Sequence, residues 1–362
     1  MVMFNVGSGS DLHCLTGAIS ISHTTNIRYL FTKLFDTCIK KIYPEKFFIK
    51  IGENYPSIYS LRYFHVKTLQ NIARSLLPTG LALAAAAGGA MAQTTAPALA
   101  LQVYNADDNS FNVTAVLVSG KKDAVLLDSG FTRADAYRIA AMVLDSKKTL
   151  TTIYITQADP DYYFGAEVLK NIFPGAKLIA AAPTVKKMQE TVAGKIRFWD
   201  NKLGVNAPKN VPMPEVMSTP VIDLEGEKIE VRGLEGNLPH RSYVWIPSLK
   251  AVAGGVNVFA GLHAWTADAQ TAKERADWSS KLDEMAALKP AVVIPGHMKA
   301  GEPQDASQLE FTKAYLSRFE VELPMAANSQ ALISAMQAAY PNAPSGPALE
   351  IGAKVNKGEM KW

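Results

Sequence analysis

From Leu101 onward the apolar positions fall into two periods. Segments in which every second residue is apolar, "LQVYNA" (101–106), "NVTAVLVSG" (112–120) and "DAVLLDSG" (123–130), predict β-strands. "TRADAYRIAAMVLDSK" (132–147) shifts to a helical period, with Ala136, Ile139, Met142 and Val143 on one side. A strand at 151–156, a helix at 163–173, the short strand "KLIAA" (177–181) and a long helix from 183 to about 203 come next. Pro208, Pro212, Pro214 and Pro220 then mark a loop. Strands return as "PVIDL", "EKIEVRGL", "SYVWIP" and "KAVAGG". "DAQTAKERADWSSKLDEMAALKP" is a helix, "AVVIPGH" a strand, and 308–340 is mostly helical. Strands, then strand–helix alternation, then the same order again, predict an α/β protein. Its architecture is two β-rich halves with helices outside, a four-layer αβ/βα sandwich. No short repeat, low-complexity tract or linker divides 101–362, so one domain is expected over 93–362.

The pattern stops short of the N-terminus. Residues 66–92 open with Lys67 and Arg74, continue as a small apolar stretch and end Ala90-Met91-Ala92 before Gln93. That is the three-part layout of a signal peptide with a small-x-small cleavage site, and it predicts a periplasmic or secreted protein. Pro78, Gly80, Gly88 and Gly89 interrupt a run too weakly apolar for a firm anchor, so no stable membrane span is expected after cleavage. Residues 1–65 show no periodicity that continues into a domain and read as an extension preceding a true start at Val66. Both cysteines, Cys14 and Cys38, lie there. The mature chain then has no thiol, which excludes a disulfide framework, a thiolate metal site and a cysteine nucleophile.

Charge removes another class. Of the formal +4, residues 1–65 carry +3 (seven Lys/Arg against four Asp/Glu) and 66–92 carry +2, leaving −1 on 93–362. A nearly neutral domain gives nucleic acid no electrostatic footprint. A small molecule is the expected partner; nothing in the chain speaks to oligomeric state. No Gly-x-Ser-x-Gly elbow, phosphate-binding glycine loop or His-Glu-x-x-His motif is present.

What remains is "TQADPDYYFG" (156–165), a strand-to-helix turn carrying Asp-x-Asp. On the residues alone it is either a metal-holding turn or a helix N-terminus with Asp oxygens as caps. Its order of elements, together with "LLDSG" (126–130), "GNLPHRSYVWIP" (236–247), "GGVNVF" (254–259) and "PGH" (295–297), resembles the metallo-β-lactamase superfamily. The resemblance covers about 103–300. It implies loops that converge on two zinc ions sharing a hydroxide, which cleaves ester, lactone, lactam or thioester bonds.

Carried over position by position, the resemblance puts Gln157 and Asp159 at the two first-metal histidines. Asp161 matches the family aspartate, and Tyr162 takes the place of a second-metal histidine. Asn237 stands at the Gly-His histidine, Val256 at the bridging aspartate, and His297 matches the final histidine. Only Asp161 and His297 are retained. The mature chain has three histidines, His240, His263 and His297, too few for the family's five-histidine set. Two readings result. In one, Asp161, His297, Tyr162 and Asp159 hold a single Zn, Mn or Fe ion, with Asp161 or Asp159 orienting water for hydrolysis. In the other, no metal is bound, and the cleft, with Gln157, Asn237, His240 and His263 around it, only binds a ligand. Aromatic residues at the expected mouth (Tyr162, Tyr163, Phe164, Phe198, Trp199, Trp265) suit an apolar or acyl-bearing molecule.

Overall fold

The computed structural model describes residues 98–236 and 238–362. Every described residue belongs to one compact unit, Ala90–Trp362. The expected extension and signal peptide, both cysteines and Asn237 lie outside the described residues. Among the described residues no helix is long and apolar enough to cross a membrane.

The first sheet has six strands in the order β1 (Ala100–Asn105), β2 (Thr114–Ser119), β3 (Asp123–Leu127), β4 (Thr149–Ile155), β5 (Lys177–Ala180) and β6 (Glu215–Val216). Its first three strands are antiparallel and the rest parallel. The crossover from β3 to β4 is the helix α1 (Arg133–Ser146). The return from β4 to β5 uses two short helices, α2 (Pro160–Tyr163) and α3 (Ala166–Ile172), and α4 (Ala182–Leu203) comes after β5. The second sheet contains β7 (Val221–Leu224), β8 (Glu227–Arg232), β9 (Tyr243–Ile246), β10 (Ala251–Ala253) and β12 (Val292–Val293), ordered β12-β10-β9-β8-β7. A two-stranded ribbon pairs β11 (Phe259–Ala260) with β13 (His297–Met298). Helices α5 (Ala272–Ala287), α6 (Ser307–Met325), α7 (Ser329–Ala339) and α8 (Pro347–Asn356) complete the chain.

Period-two alternation decides the layering. In β2, Val116 and Val118 join Val125, Leu127, Tyr154, Val231, Val244 and Ile246 between the sheets. The intervening Ala115 and Leu117 face the other way, with Ile139, Val143, Leu169 and Met188 of α1, α3 and α4. On the far side Trp245, Val252 and Val293 pack under Trp278, Leu282, Phe319, Leu332 and Met336. Each fully buried large apolar side chain contributes about 1.5–3 kcal/mol. The expected four-layer αβ/βα sandwich is what forms.

The helix expected at 163–173 breaks in two at Gly165. There a Cβ would fall 2.0 Å from the Ser129 carbonyl oxygen, so the backbone turns against the β3–α1 loop. The expected strand 291–297 likewise divides into β12 and β13. Its Pro295-Gly296 turn leaves one sheet for the ribbon, bringing His297 beside Phe259.

Candidate functional site

A buried hub fixes the turns around the site. Asp128 ends β3 in the left-handed region, at φ 66°. Its carboxylate accepts the Thr156 N–H at 2.8 Å and the Thr156 hydroxyl at 2.7 Å. Thr156 Oγ1 in turn accepts the Gly255 N–H at 2.8 Å. Burial pushes the Asp128 carboxyl up to about 7. The ends of β3, β4 and β10 are therefore tied together through one threonine, directly beneath "QADPD".

Asp159 occupies the N-cap position of α2 but makes no side-chain cap. Its oxygens are taken elsewhere: Oδ1 by the Lys195 ammonium of α4 at 3.1 Å, Oδ2 by the Gln157 amide at 2.9 Å. Both members of the ion pair are largely buried, at 17% and 18% side-chain exposure. Burial works to raise the Asp159 carboxyl. Lys195, Gln157 and Arg241 outweigh it and hold the group at about 2. Asp159 is therefore a carboxylate with a fixed internal cation.

Asp161 differs. Its Oδ2 lies 3.2 Å from His297 Nε2, and burial followed by the Asp159 charge pushes its carboxyl well above the usual range. His297 Nδ1 lies 2.9 Å from the Phe111 carbonyl. A carbonyl only accepts, so Nδ1 carries the proton and Nε2 presents its lone pair to Asp161. Burial lowers the imidazole to about 4. Both shifts favour the uncharged forms, so the carboxyl can donate to the Nε2 lone pair. His297 stacks on Phe259, with centroids 4.8 Å apart, and meets the Tyr162 ring edge-on.

These groups open onto a cavity of about 170 Å³. Asp159, Asp161, His263 and His297 of the expected residues line it, as do Val256, Trp199 and Trp265. Other expected residues lie off its wall, for identifiable reasons. Tyr162 belongs to the apolar cluster under the second sheet, its hydroxyl without a partner and burial holding its phenol far above the ordinary range. Gln157 is turned inward onto Asp159, 2% exposed. His240 is partly exposed, and burial followed by the Arg241 charge depresses it to about 4. Tyr163 and Phe164 pack on the first sheet's helices.

Three participants, Lys195, Asp268 and Trp362, carried no motif in the sequence, and a fourth, Arg241, was not singled out within 236–247. Lys195 comes from the middle of a long helix, with its ammonium 5.4 Å from the Trp362 ring centroid. Arg241 is 1% exposed, lies over Trp278, and leaves Nε and Nη1 without partners. Asp268 accepts the indole N–H of Trp265 at 2.7 Å and of Trp362 at 2.8 Å, bracing two rings of the wall. Trp362, the final residue, closes one side. The only signal for them was composition: tryptophan and charge are scarce enough that each such residue merits a partner. Among the described residues no group of three or more His, Cys, Asp or Glu side chains is arranged to hold a metal ion.

Comparison with known proteins agrees with this architecture. No curated protein matches the chain. Among solved structures, it is similar to a metallo-beta-lactamase family protein from Thermus thermophilus, at 15% identity and TM-score 0.48, covering 72% of this chain and 92% of that one. A metallo-beta-lactamase from Pontibacter korlensis matches at 18% identity and TM-score 0.42, covering 57% and 87%. The DIM-1 metallo-beta-lactamase exposed to ceftazidime matches at 16% and 0.41, covering 62% and 95%. The sequence pattern of the metallo-beta-lactamase superfamily spans residues 109–297, more than half of the chain and every turn described above. The chain therefore belongs to the metallo-beta-lactamase superfamily.

Proposed function

We propose that this protein is an exported member of a hydrolase superfamily that uses its cleft to bind a small molecule without metal ions. One observation carries the reading: the Asp159 carboxylate, at a first-metal position, is neutralised by Lys195 and Gln157. A cation arriving there would have to displace an ammonium that already balances the charge, while Val256 offers no lone pair at the bridging position. The donor set does not fit the pair of zinc ions the family's loops hold. The aromatic part of the lining, Phe111, Phe131, Trp199, Phe259, Trp265 and Trp362, suits an apolar body.

A second reading has its own support. His297 donates Nδ1–H to a carbonyl and aims Nε2 at Asp161, the arrangement that orients metal-bound imidazoles elsewhere. With Asp161, and Tyr162 nearby, it describes a single Zn, Mn or Fe ion and hydrolysis of an ester-, lactone- or lactam-type bond.

Elemental analysis after loading with zinc, paired with hydrolysis of p-nitrophenyl acetate, separates the two. The binding reading expects well under one equivalent of metal and no turnover beyond that of Asp161→Ala. One bound equivalent, with turnover lost in Asp161→Ala, would establish the second reading, and two equivalents would overturn both. Export is tested by intact mass: the secreted form should begin at Gln93, and recovery of peptides from 1–60 would refute it.

A further inference from the structure

Five aromatic rings close a circuit of contacts at the cavity. Phe111 meets Trp265 and Trp199 at 6.2 and 5.6 Å between centroids. Trp199 meets Phe198 at 4.9 Å, Phe198 meets Trp362 at 5.5 Å, and Trp362 returns to Trp265 at 5.3 Å. Every contact in the circuit is edge-to-face. Each ring is thus braced by two others, which makes a preformed wall. All but Phe198 line the cavity, and those four are half-buried, with surface left for a ligand to cover.

A carboxylate is set into this circuit. Asp268 lines the cavity, half-buried, and its oxygens accept the indole N–H of Trp265 at 2.7 Å and of Trp362 at 2.8 Å. Each carboxylate oxygen has two acceptor positions, so one on each stays open after the indoles are served. An indole donor is not a counter-charge. Lys195, the one lysine or arginine of the wall, is committed to Asp159 at 3.1 Å, and four aspartates line the cavity against it. Burial, followed by the Asp159 charge, raises the Asp268 carboxyl, and Lys195 and Arg241 offset this only in part. The wall already holds one ammonium: that of Lys195 stands 5.4 Å from the Trp362 ring centroid, close enough for the ring's negative face to attract it. A second cation beside Asp268 would meet the same ring chemistry together with a carboxylate that has open lone pairs. An anion there would meet the aspartates.

We propose that Asp268 and the rings of Trp265 and Trp362 form a subsite for an organic ammonium group, and that the cavity takes a small molecule with its cationic nitrogen there and its apolar body against Phe111 and Trp199. This deepens, and rests on, the ligand-binding reading of the cleft. The ammonium donates to the open lone pairs of Asp268 and lies against the indoles, while Lys195 remains committed to Asp159.

Calorimetric titration of the purified protein at neutral pH with three probes of like size tests it: phenethylamine, phenethyl alcohol and phenylacetate. Phenethylamine, an ammonium at that pH, should bind about tenfold or more tightly than the alcohol, the range expected of a charge-assisted hydrogen bond with cation–π support, and the acid weakest of all. Asp268→Asn keeps the shape of the side chain and an acceptor for an indole but removes the charge; it should bring the amine down to the alcohol's affinity. Trp362→Leu removes one ring of the subsite and should narrow the ratio of amine to alcohol, which decides the matter should Asp268→Asn fail to fold. Equal affinity for amine and alcohol in the native protein would overturn the subsite and leave the binding reading intact. Tighter binding of the acid, or an amine preference unchanged in either folded variant, would overturn it too. If none of the probes binds at millimolar concentration the subsite also fails, and the binding reading is then decided by the zinc and ester assays.

Discussion

Replacing Lys195 by Met asks what its ion pair with Asp159 is worth. The two groups are 3.1 Å apart and mostly withdrawn from solvent, so screening that makes surface pairs nearly worthless does not apply in full. A carboxyl held at about 2 rather than at the ordinary 3.8 corresponds to about 2 kcal/mol in favour of the charged form. With Lys195 gone, burial is opposed only by Gln157 and Arg241, and the lone carboxylate is left partly uncompensated. Lys195→Met should therefore cost about 2–3 kcal/mol at neutral pH, or about 5–10 °C in Tm for a domain of this size. The sign with pH comes from the depressed carboxyl. Its contribution is present above the unfolded value and is lost as pH falls through about 2. The deficit of the variant should thus be full at neutral pH and close under acid conditions, as its own Asp159 takes up a proton. Adding Asp159→Asn should recover most of the loss. Differential scanning calorimetry across pH on the four proteins of this cycle provides the measurement. A Tm for Lys195→Met within error of the parent, or a double variant no better than the single one, would refute the internal-cation argument.

Asp161→Asn should stabilise the protein. Its carboxyl is raised by burial and by Asp159, so its favourable contribution exists below the ordinary carboxylate range and is lost as pH rises above it; the advantage of Asn in Tm should grow in that direction. A drop in Tm would show that the Asp161–His297 contact is ionic rather than neutral. Asp268→Ala deprives two indole N–H groups of their acceptor and should cost about 2 kcal/mol, with a red shift in tryptophan emission as the wall loosens; an unchanged spectrum would argue against the brace. Gly296→Ala would put a Cβ 2.0 Å from the Gly255 carbonyl oxygen and 2.7 Å from the Tyr162 hydroxyl. A loss of about 3 kcal/mol or more in chemical denaturation is expected, and a neutral result would contradict the packing of the turn that carries His297.

The layers were legible in the sequence because they depend on local alternation. Val116 and Val118 against Ala115 and Leu117 is a two-residue decision, readable without any partner. Boundaries were less so: Gly165 reads as one more residue of a helix until the Ser129 carbonyl is found against it. Helix α8 was not anticipated, lying beyond the stretch whose periodicity reads as helical. Within the site, Asp159, Asp161 and His297 could be found because strand-end turns carry them at motif spacing. Lys195, Asp268 and Trp362 could not. They reach the cleft from mid-helix, from a loop and from the last position of the chain, and only tertiary packing relates them to Asp159 or to each other.

On the proposed metal-free reading, those late arrivals also explain why no single change should give the site a metal centre. A metal-bound water needs several lone pairs pointing at one empty point. Here the carboxylate of Asp159 is already taken: it holds the Lys195 ammonium and the Gln157 amide. The Nε2 of His297 faces the Asp161 carboxyl at 3.2 Å. Removing Lys195 frees one carboxylate but supplies no imidazole at position 157 and no bridging group at Val256. Removing Asp161 frees one nitrogen but deletes its nearest co-ligand. Lys195, Gln157 and Asp159 are mutually consistent, each satisfying the charge or hydrogen-bonding need of another. A cleft merely decaying from a metal centre would instead retain unpaired carboxylates, and buried unpaired carboxylates are too costly to accumulate by neglect.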